Sequence, residues 1–142
     1  MKQIFINLPV KDAVASMKFY VQLGFTNYPL FTDEDQKCMV WSDQIYVMLQ
    51  TQESFKSFTR KPIPDTKNNI AATYTLPVES LEMVNEIVER GLKAGGTESM
   101  PILDEGFMQV RVIEDLDGHT WGIIHLDLNK FKKFKTTLSK EL

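Results

Sequence analysis

The chain has 142 residues, of which 43% are hydrophobic and 25% are charged, and its formal net charge is −3. These values are typical of a soluble globular protein. The negative net charge gives no indication of binding to nucleic acid, which usually requires a basic surface. No apolar run reaches the roughly 18 residues of a membrane helix, so we expect no membrane partner. The start of the chain does not have the pattern of a secretory signal, and we expect a cytoplasmic protein.

The first predicted module comprises residues 1–50 and has the order β-α-β-β-β. A β-type run at residues 4–10 precedes Asp12, a residue type that often caps helices. Apolar residues at helical spacing follow, and Gly24 ends the pattern. Further short strands, separated by acidic turn residues, are predicted at residues 25–30, 38–41 and 45–49. Cys38 on one of these strands is the single cysteine, so we expect neither a disulfide nor a cysteine metal cluster.

The same arrangement recurs later in the chain. Leu8-Pro9-Val10 is repeated as Leu76-Pro77-Val78, and Ser80 takes the place of Asp12 as the predicted helix cap. An apolar-periodic stretch again follows and ends at Gly95-Gly96. Strands at residues 71–76, 97–102, 107–113 and 120–126 complete a second module over residues 70–128. The repetition of tripeptide, cap and helix predicts a single domain built from two βαβββ modules.

The two modules are joined by residues 51–69, which we predict to be a linker because they contain two prolines. Residues 129–142 set two phenylalanines among five lysines, which predicts a basic amphipathic tail helix. A short helix of this kind is expected to pack on its own domain or on a dimer mate. Docking on another partner or on acidic lipid is the alternative.

Two stretches carry a recognisable pattern of residues. Near the start, Leu8-Pro9-Val10-Lys11-Asp12 precedes Phe19-Tyr20 and Leu23-Gly24-Phe25. Near the end, Ala94-Gly95-Gly96 precedes Glu114-Asp115-Leu116-Asp117-Gly118-His119-Thr120-Trp121. Together they resemble the opening and the close of the vicinal oxygen chelate superfamily, the group of glyoxalases, bleomycin-resistance proteins and extradiol dioxygenases. Within the group, the chain is most similar to small bacterial proteins called predicted lactoylglutathione lyases.

The resemblance implies an α+β fold in which two βαβββ modules form a cup-shaped, barrel-like mixed sheet with the helices outside. It also implies a divalent ion held by His or Glu at four positions of the cup. Those positions are occupied here by Phe5, Met48, Thr73 and Gly122. Because these side chains lack the imidazole or carboxylate that such ions need, we expect no metal ligands and no cofactor.

Strand alternation predicts which residues face the cup, because successive side chains of a strand point to opposite faces. On four strands one face is aliphatic, which suits packing against helices, while the other mixes aromatic and polar residues. The mixed faces are predicted to bind the ligand: Phe5, Asn7, Tyr46, Met48, Gln50, Thr73, Thr75, Phe107, Gln109 and Arg111. An apolar pocket with a few polar groups is typical of small-molecule sites.

Arg111 is the most specific of these residues, because its planar guanidinium suits a carboxylate or a phosphate. The alternative is an arginine paired with Glu105, with Glu114 or with an acid of a dimer mate. His119 is expected to be a solvated turn residue, and His125 a structural residue on the helix side or at an interface. No catalytic residue is singled out.

The leading hypothesis is a glyoxalase/bleomycin-resistance-like protein that binds a small organic molecule, anionic if Arg111 contacts it, without the usual metal. The alternative is an enzyme of the same fold, of lyase, isomerase or dioxygenase type. Such an enzyme would use atypical metal ligands, or acid–base catalysis through Tyr46 and Arg111. A third hypothesis is an interaction protein that acts through its tail and dimer surface. We expect a homodimer, because the group commonly pairs sheet edges and an open edge favours aggregation.

Overall fold

The computed structural model describes residues 1–141. The first module contains β1 (Ile4–Val10), α1 (Ala13–Leu23), β2 (Thr26–Asn27), β3 (Gln36–Ser42) and β4 (Ile45–Thr51). A short helix, α2 (Gln52–Lys56), follows it. The second module contains β5 (Thr73–Pro77), α3 (Leu81–Lys93), β6 (Leu103–Asp104), β7 (Met108–Glu114) and β8 (Thr120–Leu126), and α4 (Leu128–Glu141) comes last.

Each module folds into a four-stranded mixed sheet with the same strand order. The order is β1-β4-β3-β2 in the first sheet and β5-β8-β7-β6 in the second. β1 pairs with β4 in parallel, and β5 pairs with β8 in parallel, while the other pairs are antiparallel. The predicted α+β fold of two βαβββ modules with outer helices is therefore confirmed. The sheets are not closed into a barrel and have the arrangement of an open cup.

Local signals account for the ends of the two long helices. Asp12 accepts a hydrogen bond from the Ala15 amide at 3.0 Å, and Ser80 accepts one from the Met83 amide at 3.1 Å. Both contacts are those of N-caps, as their residue types predict. α1 ends at Gly24, whose φ of 118° is left-handed and is typical of a glycine after a helix.

One of the two edge strands in each sheet is shorter than the sequence suggests. The strand predicted at residues 25–30 pairs only over β2, and Pro29–Phe31 forms a 3-10 turn because proline restricts φ. The corresponding strand of the second module is reduced to a single bridge between Thr97 and Glu114. Pro101, which has no amide hydrogen to donate, follows shortly afterwards. Each sheet therefore has one edge strand of only two residues.

A single core joins the two modules on the convex side of the sheets. α1 packs against α3, α1 also packs on β3 and β4, and α3 packs on β7 and β8. Large core side chains from both modules are buried together, among them Leu8, Phe19, Tyr20, Leu23, Leu49, Ile87, Ile113, Trp121 and Ile123. Gly91 lies at the helix crossing, where a Cβ would collide with Ile113 and would lie 3.0 Å from Leu23. Because α1 and α3 pack on the convex side, they do not cover the concave faces of the sheets.

The tail helix packs on its own domain. The ring of Phe107 lies 5.3 Å from that of Phe131 and 4.9 Å from that of Phe134, measured between centroids. This contact agrees with the expected docking of the tail, of which residue 142 lies outside the described residues. Within residues 1–141, the structure has no helix that combines the length and the apolarity needed to cross a membrane.

Candidate functional site

A cavity of about 450 Å³ lies on the concave face of the second sheet. Its floor is built from alternate residues of three strands, as strand geometry requires: Thr73, Thr75, Val110, Val112, Glu114, Thr120 and Gly122. Linker residues 66–70 form one wall, and Ser99 and Met100 contribute to the lining. A smaller cavity of about 190 Å³ shares linker residues with it and reaches Asn7 and Pro9 of β1.

The linker is held against the second module at the turn between β7 and β8. The Thr66 hydroxyl donates a hydrogen bond to the Asp117 carbonyl at 2.5 Å. Gly118 has a φ of 87°, and a Cβ there would collide with the Thr66 carbonyl and would lie 2.8 Å from the Cα of Lys67. A glycine at this position therefore allows the linker to approach closely enough to form the cavity wall.

The same turn is anchored by a buried carboxylate. Asp115 accepts hydrogen bonds from the Tyr20 hydroxyl at 2.6 Å and from the amides of Asp117 and His119, each at 2.9 Å. Trp121 Nε1 donates to the Tyr20 oxygen at 2.9 Å. Burial raises the pKa of Asp115 and raises the pKa of Tyr20 well above its usual value. These contacts fix the turn from the core side and agree with the backbone bonding typical of aspartates in such turns.

The two histidines differ in their surroundings: His119 lines the smaller cavity, whereas His125 lines neither of the two cavities. His119 was expected in solvent, but its ring is half-buried and Nε2 lies 2.8 Å from the Pro9 carbonyl oxygen. The expectation is wrong because the turn packs on β1. His125 is half-buried with Nδ1 3.2 Å from the Val78 carbonyl oxygen, which agrees with a structural role.

The concave face of the first sheet carries an aromatic cluster. The ring of Tyr46 stacks on Phe5 at 4.4 Å, and Phe31 meets Phe5 edge-on at 6.5 Å between centroids. Met48 and Cys38 are buried beside Tyr46. Burial raises the pKa of the Cys38 thiol, which fits the expected inert cysteine. This half of the cup is therefore occupied by the protein's own side chains.

The ten residues predicted to line the cup fall into three groups. Three line the cavities, namely Thr73, Thr75 and Asn7. Four belong to the first sheet, where Phe5, Tyr46 and Met48 form the cluster and Gln50 donates to the Gln36 side chain at 3.3 Å. The remaining three, Phe107, Gln109 and Arg111, come from β7 and its start and lie elsewhere.

Arg111 lies on the convex face of β7, so the predicted assignment of faces on this strand is wrong. Its Nε and Nη2 donate to the two carboxylate oxygens of Glu98 at 2.8 and 2.7 Å. Nη2 also meets Glu89 at 3.0 Å, and Nη1 donates to the Asn85 side chain at 3.0 Å. Arg111 is 6% exposed, and its partners come from α3 and the loop after it. The arginine therefore ties β7 to α3.

Gln109 and Phe107, the other two residues of this group, also lie outside the cup, contrary to the prediction. Gln109 donates to the Asp104 side chain at 3.2 Å across the β6–β7 pair, and Phe107 packs against α4. The physical reason is that the aliphatic residues of β7, such as Val110 and Val112, form the cavity floor instead of packing on a helix. An apolar floor and an apolar helix contact give the same alternation in sequence.

Glu114 is the site residue that sequence reasoning missed. It lines the cavity with Val110 and Val112, at the same parity along β7. Among the side chains of residues 1–139, the only salt bridges are those of Arg111, and no side-chain hydrogen bond reaches the Glu114 carboxylate. The strand parity could have identified Glu114, but only with the correct face of β7. The linker wall has no comparable signal in the sequence.

The four positions that would hold a metal in the superfamily do not fit one. Phe5 and Met48 lie in the aromatic cluster, and Thr73 and Gly122 lie in the cavity floor. Among the residues that the structure describes, no three of His, Cys, Asp and Glu converge to hold an ion. A Cβ on Gly122 would make only ordinary contacts, the closest being 3.5 Å to the Thr75 hydroxyl. A larger side chain could therefore be accommodated at this position without a close contact at its Cβ.

Comparison with known proteins identifies the fold. The sequence matches no protein-family model, and no curated protein matches it significantly. Among solved structures, a hypothetical protein from S. aureus is 22% identical, with 88% of this chain and 94% of that chain covered and a TM-score of 0.75. A glyoxalase-related enzyme from Fulvimarina pelagi is 19% identical, with 88% of each chain covered and a TM-score of 0.74.

A glyoxalase/bleomycin resistance protein/dioxygenase family enzyme from Burkholderia phytofirmans PsJN is 16% identical. The match covers 89% of this chain and 99% of that chain, with a TM-score of 0.73. At such identities the likeness shows the fold alone, and function has to be argued from the site. The fold is that of the glyoxalase, bleomycin-resistance and dioxygenase proteins, as the sequence resemblance implied.

Proposed function

We propose that this chain, whose fold is that of the glyoxalase/bleomycin resistance/dioxygenase proteins, binds a small organic molecule on the concave face of its second sheet. The observation that carries the proposal is the cavity of about 450 Å³ over β5, β7 and β8. Its size falls in the range of roughly 300–1,000 Å³ that is usual for small-molecule sites. Its lining combines apolar surface with a few hydroxyls, two asparagine amides, one lysine and one carboxylate, and such a mixture is typical of small-molecule sites.

The chemistry of the lining supports binding without a metal. A divalent site needs three or four nitrogen, sulfur or oxygen donors that converge at about 2.0–2.3 Å. The cavity floor provides one carboxylate, Glu114, while its other polar side chains are threonines. Gly122 has no side chain that could coordinate a metal. The proposed ligand therefore meets the protein directly, through Thr73, Thr75 and Glu114.

An enzyme of the same fold is the second candidate, and one observation favours it. Glu114 has no protein partner among the described residues and faces the cavity, so its carboxylate can act as a general base. The acid–base pair considered from the sequence does not exist, because Tyr46 stacks on Phe5 and Arg111 faces α3. Catalysis in this cavity would therefore depend on Glu114.

The proposal is tested by screening a collection of small metabolites for binding, using ligand-observed NMR in the presence of a chelator. Gly122→Leu fills the cavity, because the new Cβ meets no close contact and the side chain extends over the floor. Gln22→Leu adds the same side chain on the exposed face of α1 and serves as the control. We expect at least one compound to bind the wild type and the control but not Gly122→Leu.

Two results would contradict the proposal. One is a screen in which every compound that binds does so equally well to Gly122→Leu. The other is a screen in which no compound binds while thermal melts show that all three proteins are folded.

A further inference from the structure

We infer that the ligand of this cavity is an organic amine, held by an ion pair between its protonated nitrogen and the carboxylate of Glu114. The inference rests on the proposed function and specifies the chemistry of the molecule bound. Its starting point is the charge inside the cavity, which differs from the one that the sequence suggested. Arg111, the cation that would have favoured an anionic ligand, is turned away from the cavity and neutralised by Glu98 and Glu89.

Two ionisable side chains line the cavity, Glu114 on the floor and Lys67 on the linker. Glu114 is half-buried, whereas Lys67 is exposed at the rim. A carboxylate that is partly removed from water without a partner is unfavourable, and a cationic ligand relieves this cost by a charge-assisted hydrogen bond. Lys67 also repels a cation in the cavity, but its exposed position at the rim lets water and salt screen this repulsion. The electrostatics therefore favour a single cation at the floor.

The nearest other carboxylates are already engaged. Asp115, the next residue, points to the core and accepts hydrogen bonds from Tyr20 and two amides. Asp117 accepts a hydrogen bond from the Lys11 amide at 2.8 Å. Glu114 is thus the carboxylate that faces the ligand, and its loss is expected to remove the preference for an amine.

The rest of the lining indicates the chemistry of the uncharged part of the ligand. Thr73 and Thr75 lie two residues apart on the same face of β5, so their hydroxyls stand side by side over the floor. Both are exposed, and neither hydroxyl makes a side-chain hydrogen bond within the described residues. Val110, Val112 and Met100 provide apolar surface. This lining fits a compact amine whose apolar frame carries a hydroxyl group.

The test uses three probes that share a 4-hydroxyphenyl frame and differ in charge: tyramine, 4-ethylphenol and 3-(4-hydroxyphenyl)propionate. Their dissociation constants are measured for the wild type, Glu114→Gln and Gly122→Leu. Glu105→Gln, which removes an exposed carboxylate outside the cavity lining, is the matched control. We expect tyramine to bind the wild type about tenfold more tightly than 4-ethylphenol, as one charge-assisted hydrogen bond predicts. The propionate should bind most weakly.

In Glu114→Gln, tyramine should bind no more tightly than 4-ethylphenol, while Glu105→Gln should resemble the wild type. All three probes should lose binding in Gly122→Leu. If the probes bind in the cavity without a preference for tyramine, or if Glu114→Gln keeps that preference, the inference is overturned and the proposed function stands. The same holds if compounds from the screen bind but none of these probes does. If neither screen nor probes give a binder that Gly122→Leu blocks, the proposed function fails.

Discussion

Arg111 illustrates how burial decides the role of a charged residue. The charge of an arginine that is only 6% exposed needs partners, and Glu98, Glu89 and Asn85 provide them within 3.0 Å. The bidentate contact with Glu98 has the fork geometry that suits arginine best. The residue that looked most like a ligand contact is therefore a link between β7 and α3.

Replacement of Glu98 is expected to show this role as a pH-dependent loss of stability. The hydrogen bonds and the charge of Arg111 hold the pKa of Glu98 below its usual value of 4.5. A lowered pKa in the folded state means that the stabilisation is fully present above pH 4.5 and is lost as the pH falls through the folded-state pKa. Glu98→Gln should therefore lower the free energy of unfolding by about 1.5–3 kcal/mol at neutral pH.

Urea unfolding of the two proteins at several pH values measures the difference. It should shrink as the pH falls below 4.5, because the wild type then loses the same ion pair. Glu89→Gln is the control, since that carboxylate is 56% exposed and should contribute less than about 1 kcal/mol. A Glu98→Gln penalty that stays constant with pH would contradict this account.

At the scale of elements, local sequence signals were sufficient to predict much of the fold. The bounds predicted for β1 and β8 agree with the structure, as do the caps at Asp12 and Ser80. These features depend on short stretches of chain and on side chains that bond the adjacent backbone. The sequence was therefore informative about the elements and about the repeat of the two modules.

The site was harder to predict from the sequence than the fold, and β7 shows the physical reason. Val110 and Val112 form an apolar cavity floor, while Arg111 on the opposite face is neutralised by acids distant in sequence. Alternation alone cannot distinguish these faces, because it shows which residues are apolar but not whether they line a cavity or pack against a helix. The linker wall depends on the contact of Thr66 with Asp117, which residue patterns do not indicate.

The linker wall can be tested by substituting the glycine against which it packs. Gly118→Ala adds backbone strain at a φ of 87° and also places a Cβ against the Thr66 carbonyl. Gly106→Ala adds a similar strain at a φ of 80° but has no atom within 4 Å of its Cβ. Each should cost about 1–3 kcal/mol from the strain, with Gly118→Ala the more destabilised.

Ligand binding separates the two variants further. Gly118→Ala should weaken the binding of any ligand found for the cavity, because the linker is displaced, whereas Gly106→Ala should bind as the wild type does. Equal affinity of both variants, measured by titration, would show that the linker is no part of the site.

The tail helix gives a second prediction at this scale. Phe131 packs on Phe107 and is half-buried, so Phe131→Ala should reduce the free energy of unfolding by about 1–2 kcal/mol. Leu138→Ala is the control, because Leu138 is 41% exposed and should change stability by less than about 0.5 kcal/mol. Alanine favours a helix at both positions, so the comparison isolates the packing. Equal unfolding curves in urea would indicate that the tail does not dock in solution.

At the scale of the whole molecule, we propose a homodimer. Met100 and Ile102 are 57% and 58% exposed and precede the short edge strand β6, so they form an apolar surface beside the cavity. Exposed apolar surface of this kind commonly marks an interface. Light scattering at micromolar concentration should give twice the mass of one chain.

The substitutions Met100→Glu and Ile102→Glu together should shift the protein towards the monomer, while Gln22→Glu on α1 should leave the mass unchanged. A wild-type protein with the mass of one chain throughout the concentration range would contradict the proposal.

The central claim is that the second sheet binds a small organic molecule without a metal. It is tested most directly by amide NMR shifts of the wild-type protein, recorded with chelator present and a compound from the screen added. The account predicts shifts at Thr73, Thr75, Thr120 and Gly122, with little change at Cys38 and Met48 in the aromatic cluster. Shifts that appear only when a divalent metal replaces the chelator, or that concentrate on the first sheet, would contradict it.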